Sequence, residues 1–340
     1  GLGDVYKRQG VTSLPQPKQA QKAAQEQGRV MGLFEQKNIR PMLIGADGEP
    51  FDSPDYIYEL KLDGERCIAY LDPKEGTELR NKRNVKMLPK VPELGDLHKQ
   101  AKKRCILDGE LLILKDGKPN FAEIQRRSLM SNQFKIRLAA RQFPATFVAF
   151  DCLYLDGEDI TIRKLTDRKD ALHNTVNEGG RMALSRVVEG RGVDFYRLAE
   201  KHDLEGIVAK RKDSIYIQDK RTKDWIKIKN LKDDDFVVCG YIHKDNHMTS
   251  IILGQYQDGE LIYKGHVTLG VGGKPFARIV EQRELSVPPF PVPAGNENAI
   301  WIRPELVCTV KFMERTASGG MRQPVFKGLR DDKAPEECTI

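Results

Sequence analysis

The run Tyr58-Glu59-Leu60-Lys61-Leu62-Asp63-Gly64-Glu65-Arg66, continuing into Cys67-Ile68-Ala69-Tyr70-Leu71, decides how this chain is read. Two alternating apolar stretches flank an Asp-Gly dipeptide, a strong short-range signal for a β-hairpin. With a strand period of two, Glu59 and Lys61 share one face, opposite Tyr58 and Leu60. The pattern predicts a lysine held on a strand, with Asp63 and Arg66 close by. It fits an exposed charged hairpin, and it fits a nucleophilic lysine. The rest of the chain must decide between the two.

At 340 residues the chain is long enough for two domains. A hydrophobic content of 39% and a charged content of 31% suit a globular protein. No long apolar run and no signal-peptide pattern is present, so a cytoplasmic location and no membrane partner are expected. The six cysteines, Cys67, Cys105, Cys152, Cys239, Cys308 and Cys338, form no Cys-x-x-Cys pair. Most lie within apolar strand-like runs and read as buried thiols rather than disulfides or zinc ligands. A net charge of +7 leans towards a polyanionic partner.

Residues 1–30 carry no core-forming period and read as a disordered tail. Their start, Gly1 to Gln9, resembles adaptor-derived sequence, so a natural start at Met31 is expected; the rival reading is a basic arm that touches DNA. Further along, Leu79-Arg80-Asn81-Lys82-Arg83-Asn84 offers two Arg-Asn pairs in a basic loop. Residues 105–114 read as a mostly buried strand interrupted by Asp108 and Glu110 on one face. Such charges are costly to bury without partners. A strand with an Asp-Gly turn follows over residues 145–157. Amphipathic helices are expected over 164–176 and 193–202, with Leu165, Leu172 and Val176, and then Phe195, Leu198 and Ala199, facing inward.

Leu204-Glu205-Gly206-Ile207-Val208-Ala209-Lys210 reads as a helix end opening an apolar strand. Lys223-Asp224-Trp225-Ile226-Lys227-Ile228-Lys229 then alternates strictly. Lys227 and Lys229 share a face with Trp225, and Ile226 and Ile228 take the other. Two neighbouring ammonium groups repel unless an anion lies between them, whereas edge-strand lysines can also serve only to block aggregation. The acidic run Asp233-Asp234-Asp235 reads as a domain joint and hinge. Beyond it, strands near 236–242, 250–256, 261–269 and 306–312, with a helix near 275–285, suggest a small five-stranded OB barrel. The proline-rich stretch 287–293 reads as a surface connector.

The six residues from Lys61 to Arg66 resemble the Lys-x-Asp-Gly-x-Arg signature of the covalent nucleotidyltransferases: DNA ligases, RNA ligases and capping enzymes. Closest in pattern is the ligase module of bacterial end-joining ligases, a likeness that includes Arg303-Pro304-Glu305-Leu306-Val307 and the tail Gly328-Leu329-Arg330-Asp331-Asp332-Lys333. The likeness runs from about Met31 to Lys333; each motif is weak alone, and six in order are specific. The implied fold is α+β: an ATP-grasp-like adenylation domain of antiparallel sheets and helices over 31–232, followed by a C-terminal OB-fold β-barrel over 233–340. The polymerase, phosphoesterase, zinc-finger and BRCT-like additions of other ligases are not seen in the sequence, so a minimal two-domain enzyme using ATP is expected.

The resemblance implies that Lys61 is the adenylylated residue. It places Glu59, Arg66, Glu110, Phe150, Lys227 and Lys229 around the nucleotide, with Phe150 on the purine and Asp108 supporting Glu110. One arginine of the two Arg-Asn pairs contacts the nucleotide or the nicked-strand phosphate, and spacing favours Arg83 over Arg80. Glu205 and Glu110 are expected to contact Mg²⁺, or alternatively Mn²⁺, and Arg330 and Lys333 to act on the departing pyrophosphate. The implied partners are ATP, nicked duplex DNA and a Ku-like end-binding protein, with the enzyme acting as a monomer. An RNA ligase or capping enzyme shares the lysine signature. A non-catalytic DNA-binding adaptor is the reading from another class, against which the intact Lys61, Glu110, Glu205, Lys227 and Lys229 argue.

Overall fold

The computed structural model describes residues 31–340, and the tail expected over 1–30 lies outside the described residues. In chain order come β1 (Leu43–Asp47), β2 (Tyr56–Leu60), β3 (Glu65–Asp72) and β4 (Gly76–Asn81). Then follow β5 (Cys105–Lys115), β6 (Lys118–Pro119), β7 (Ala145–Leu155), β8 (Glu158–Asp159) and β9 (Met182–Leu184). After these come β10 (Val188–Glu189), β11 (Gly206–Arg211) and β12 (Arg221–Lys229). The last six strands are β13 (Lys232–Lys244), β14 (Met248–Gln257), β15 (Glu260–Gly270), β16 (Ile300–Trp301), β17 (Val307–Phe312) and β18 (Val325–Arg330).

The chain divides into two compact units that interleave along the sequence. The first comprises residues up to Leu43, then Asp63–Ser185 and Lys212–Thr222, and the second comprises Ile44–Leu62, Arg186–Arg211 and Lys223–Ile340. The first unit carries a seven-stranded sheet, ordered β4-β3-β5-β7-β8, with β6 on β5 and β9 on β7. Its core gathers alternate residues of β3, β5 and β7, among them Cys67, Ala69, Leu107, Leu111 and Phe147. The helix Leu165–Thr175 packs Leu165 and Leu172 inward, as expected from the helical period.

Two sheets belong to the second unit. One is five-stranded, ordered β1-β12-β11-β2-β10. Ile207, Ala209 and Ile228 form its apolar face, together with Tyr58 and with Ala199 of the helix Gly192–Lys201. Leu198 on that helix, expected to face inward, is instead half exposed. The other is the OB-fold sheet, expected with five strands and found with six: β15-β14-β13-β17-β18 in order, and the two-residue β16 added on β13. Bulges interrupt β13–β14, β14–β15 and β17–β18, as strongly curved strands require. The helix expected near 275–285 is shorter, Lys274–Val280.

The Asp63-Gly64 signal does not make a hairpin, because β2 pairs with β10 and β11 whereas β3 pairs with β4 and β5. The chain passes here from one sheet to another. Gly64 is needed for close approach rather than for a tight turn, since a methyl group there would lie 2.1 Å from the Leu111 carbonyl oxygen. The acidic run, read from sequence as a domain joint and hinge, lies within the strand β13. Asp233, Asp234 and Asp235 are paired strand residues opposite Lys311, Val310 and Thr309.

All six cysteines are free and buried, as the sequence suggested. Burial raises the Cys152 thiol to about 12.

Candidate active site

In the second unit the site is built where β2 ends against β11. The Lys61 amide donates to the Gly206 carbonyl (2.9 Å), which carries the pairing one residue past the strand. The Lys61 ammonium meets the Glu205 carboxylate at 2.7 Å. Glu205 is only 7% exposed. Gly206 permits this junction in two ways. Its φ of +135° is disfavoured for side-chain-bearing residues, and a methyl group there would lie 2.1 Å from the Ile228 carbonyl oxygen. The Glu205-Gly206 pair thus lets β11 and β12 approach while aiming a carboxylate at the lysine.

On β12, Lys229 lies opposite Gly206 and Lys227 opposite Val208. Burial, then the charges of Lys227 and Lys61, hold the Lys229 ammonium below its ordinary value, against the pull of Glu205 and Asp47. Lys227 reaches Asp47 at 3.4 Å, and Lys229 donates to the Gln323 side chain at 2.7 Å. Such crowding of cations is favourable once an anion joins them. Glu59 has a neighbour of its own: its carboxylate meets Lys210 at 2.6 Å, and both side chains are buried. Lys210 also lies 4.5 Å from the Trp225 ring centroid. Trp225, grouped by strand period with Lys227 and Lys229, is thus part of a buried ionic layer.

In the first unit, β3 and β5 place Arg66 opposite Glu110. Arg66 forms a two-pronged pair with Asp108, both contacts 2.6 Å, and donates to the Met42 carbonyl at 3.0 Å. Tyr216 donates its hydroxyl to the same Asp108 carboxylate at 2.6 Å. Burial opposes the Arg66 charge, but the Asp108 pair outweighs it and raises the guanidinium above its ordinary value. Asp108 therefore pairs with Arg66, rather than supporting Glu110 as the resemblance implied. The Arg66 guanidinium also lies 4.9 Å from the Phe150 ring centroid. Phe150 is 9% exposed.

Next to Phe150, Asp151 forms a fully buried two-pronged pair with Arg168 at 2.8 and 3.0 Å. Sequence reading missed this pair. The available signal was Arg168 itself, which falls on the inward helix face between Leu165 and Leu172.

The two Arg-Asn pairs differ in their surroundings. Arg80 meets Glu78 at 2.6 Å and the Asn84 carbonyl at 3.2 Å. Arg83 lines a pocket of about 600 Å³, alongside Arg40, Arg66, Lys82 and Glu65. Arg330 and Lys333, on and just after β18, both reach one oxygen of Asp235 at 2.9 Å.

The donor chemistry around Lys61 suits Mg²⁺, which takes hard carboxylate oxygens and keeps several waters. Among the described residues no group of three or more His, Cys, Asp or Glu side chains is gathered. Single carboxylates, such as Glu205 beside Lys61, fit an ion shared with substrate phosphates better than a closed protein cage.

This geometry can be set beside known proteins. A family model described as the ATP dependent DNA ligase domain matches residues 46–229, and one described as the ATP dependent DNA ligase C terminal region matches residues 244–333. The chain belongs to the ATP-dependent DNA ligases. DNA ligase C of Mycobacterium tuberculosis is 30% identical, over 88% of this chain and 92% of that protein. The multifunctional non-homologous end joining protein LigD of Mycobacterium bovis is 29% identical over 90% of this chain. This ligase-family chain spans 40% of the length of that LigD relative. Among solved structures, mycobacterial DNA ligase D complexed with ATP and MES aligns with a TM-score of 0.53 and 27% identity, covering 89% of this chain and 98% of that one. The α+β nucleotidyltransferase fold followed by an OB-fold is therefore established.

Proposed function

We propose that this chain is an ATP-dependent DNA ligase that seals 5′-phosphate/3′-hydroxyl nicks in duplex DNA through a lysyl-AMP intermediate on Lys61. The observation that carries the reading is Lys61 at 2.7 Å from a nearly buried Glu205, with Lys227 and Lys229 on the neighbouring strand, in a chain of this family. In the first step the Lys61 amine loses a proton, forms a bond to the α-phosphorus of ATP, and pyrophosphate departs. AMP then passes to the 5′-phosphate at the nick, and the 3′-hydroxyl displaces it to close the strand.

Glu205, next to the reacting amine, is positioned to accept its proton and to hold a divalent ion directly or through water. Mg²⁺ bound there, with Glu110 assigned the same contact role, would neutralise charge on the phosphates. Lys227 and Lys229 are assigned to the triphosphate, and Glu59 orders that ionic layer through Lys210. Arg66, Phe150 and Arg83 are assigned to the nucleoside and to phosphate, and Arg330 and Lys333 to pyrophosphate. The adenylation domain is assigned to residues 31–232 and the OB-fold domain to 233–340.

No helix among the described residues is long and apolar enough to cross a membrane. A monomer acting on nicked DNA in the cytoplasm completes the proposal. A Ku-like end-binding partner is included because relatives are named for end joining.

The test is sealing of a labelled nicked duplex with ATP, GTP or NAD, beside a nicked RNA arm and a linear-duplex arm with and without a Ku-type protein. Sealing of DNA with ATP is expected, together with stimulation of the linear arm. Sealing of RNA only would favour the RNA-ligase reading. DNA binding without any sealing would favour the adaptor reading.

A further inference from the structure

We propose that Glu65 is a positioning residue that fixes the Arg83 cation for a phosphate oxyanion. The proposal rests on the reading above in which Arg83 contacts phosphate. Glu65 opens β3, and Asn81 closes β4 opposite Cys67, so Glu65 and Asn81 are diagonal neighbours on one face. One Glu65 oxygen accepts from the Asn81 amide nitrogen at 3.0 Å. The other accepts from the Ser128 hydroxyl, near the end of the helix Phe121–Leu129. A single carboxylate therefore ties a strand, a turn and a helix together.

Asn81 passes this constraint to the arginine. Its side-chain oxygen accepts from the Arg83 and Val85 amides, both at 3.0 Å. Its backbone carbonyl accepts from the Asn84 amide at 2.8 Å, and its own amide donates to the Val85 carbonyl at 3.0 Å. Asn84 takes the left-handed conformation, φ 64°, which asparagine tolerates better than most residues. Because the Asn81 oxygen is committed to two N–H groups, its NH₂ must turn outward, and Glu65 is the acceptor there. The turn that carries Arg83 is thus closed by one side chain whose orientation Glu65 sets.

Charge gives a second reason for this arrangement. Arg40, Arg66, Lys82 and Arg83 line the same pocket as Glu65. A carboxylate with free oxygens would compete with phosphate for these cations. Here each Glu65 oxygen accepts from a neutral donor, Asn81 or Ser128, rather than from a pocket cation, which leaves Arg83 for an external anion. That anion is a phosphate of the nucleotide or of the nicked strand, and two arms separate them.

In one arm the rate of Lys61 labelling is followed against ATP concentration. In the other, pre-labelled enzyme is discharged onto a nicked duplex. A third measurement, made in EDTA without nucleotide, compares binding of nicked duplexes bearing a 5′-phosphate or a 5′-hydroxyl. Glu65→Ala is expected to reproduce the Arg83→Ala defect, about tenfold or more, in the same arm as Arg83→Ala. Glu65→Gln can still accept from Asn81 and donate to Ser128, and is expected to restore the rate to within about threefold. The double variant Glu65→Ala/Arg83→Ala should be no slower than Arg83→Ala alone.

Effects that multiply in the double variant, or a Glu65→Gln as slow as Glu65→Ala, would overturn the proposal. So would wild-type rates in both arms for Glu65→Ala beside a slow Arg83→Ala. Wild-type rates for Arg83→Ala itself would instead remove the underlying reading of Arg83, and the positioning role with it. Should Glu65→Ala fail to fold, the Glu65→Gln and Arg83→Ala pair decides.

Discussion

Glu205 is assigned two tasks at once. Its carboxylate lies 2.7 Å from the Lys61 nitrogen, and the proposed roles are to take the proton of that amine and to contact a divalent ion. Glu205→Gln keeps the size and one hydrogen bond but removes the charge that serves both tasks. Labelling of Lys61 from ATP should fall by about two orders of magnitude, the usual scale for losing a positioned acid or base. Far-UV circular dichroism should be unchanged. Labelling at the wild-type rate would show that the proton leaves by another route. The lysine and its glutamate were legible separately, as Lys-x-Asp-Gly-x-Arg and Glu-Gly. Their contact was not, because it joins residues 144 positions apart. The Arg66–Asp108–Tyr216 cluster and the Asp151–Arg168 pair were hidden for the same reason: an isolated charge in an apolar strand announces that it needs a partner without saying which.

Strands show how far a local pattern reaches. The period of two was readable in β2 and β12, whereas β5 and β7, buried on both faces, were readable only as apolar runs. The partner of each strand was not, and so Asp63-Gly64 read as a hairpin where the chain changes sheets. The strand β18 escaped notice behind its own motif, Val325-Phe326-Lys327-Gly328-Leu329-Arg330. This strand brings Arg330 to Asp235 of β13, with Lys333 just beyond its end. Burial alone would raise the Asp235 carboxyl, but the Thr309 hydroxyl, Lys333 and Arg330 together hold it below the ordinary carboxylate value. The unfolded chain therefore binds this proton at a higher pH than the folded one. The resulting stabilisation is present above the unfolded value, near pH 4, and is lost as pH falls through the lower folded value. Unfolding midpoints in denaturant between about pH 6 and pH 2 should fall less steeply in Asp235→Asn than in wild type. Equal slopes would remove Asp235 as the anchor of the tail cations.

Taken as a whole, the chain shows why six weak motifs in sequence order are informative together. The two compact units are assembled from alternating segments, and the residues assigned to nucleotide and metal are distributed over both. The motifs and their order along the chain could be read without the fold, but not which of their side chains meet. Composition contributed little, since a charge of +7 fits many partners. Whether Lys61 is the nucleophile of a DNA-sealing reaction is decided by a pulse-chase. The protein is incubated with Mg²⁺ and ATP labelled at the α-phosphate, the labelled residue is located by proteolysis and mass spectrometry, and a nicked duplex is then added. Label is expected on Lys61 alone, none in Lys61→Ala, and the label should depart as the nick closes. Label on a different residue, or sealing by Lys61→Ala at the wild-type rate, would rule Lys61 out as the nucleophile.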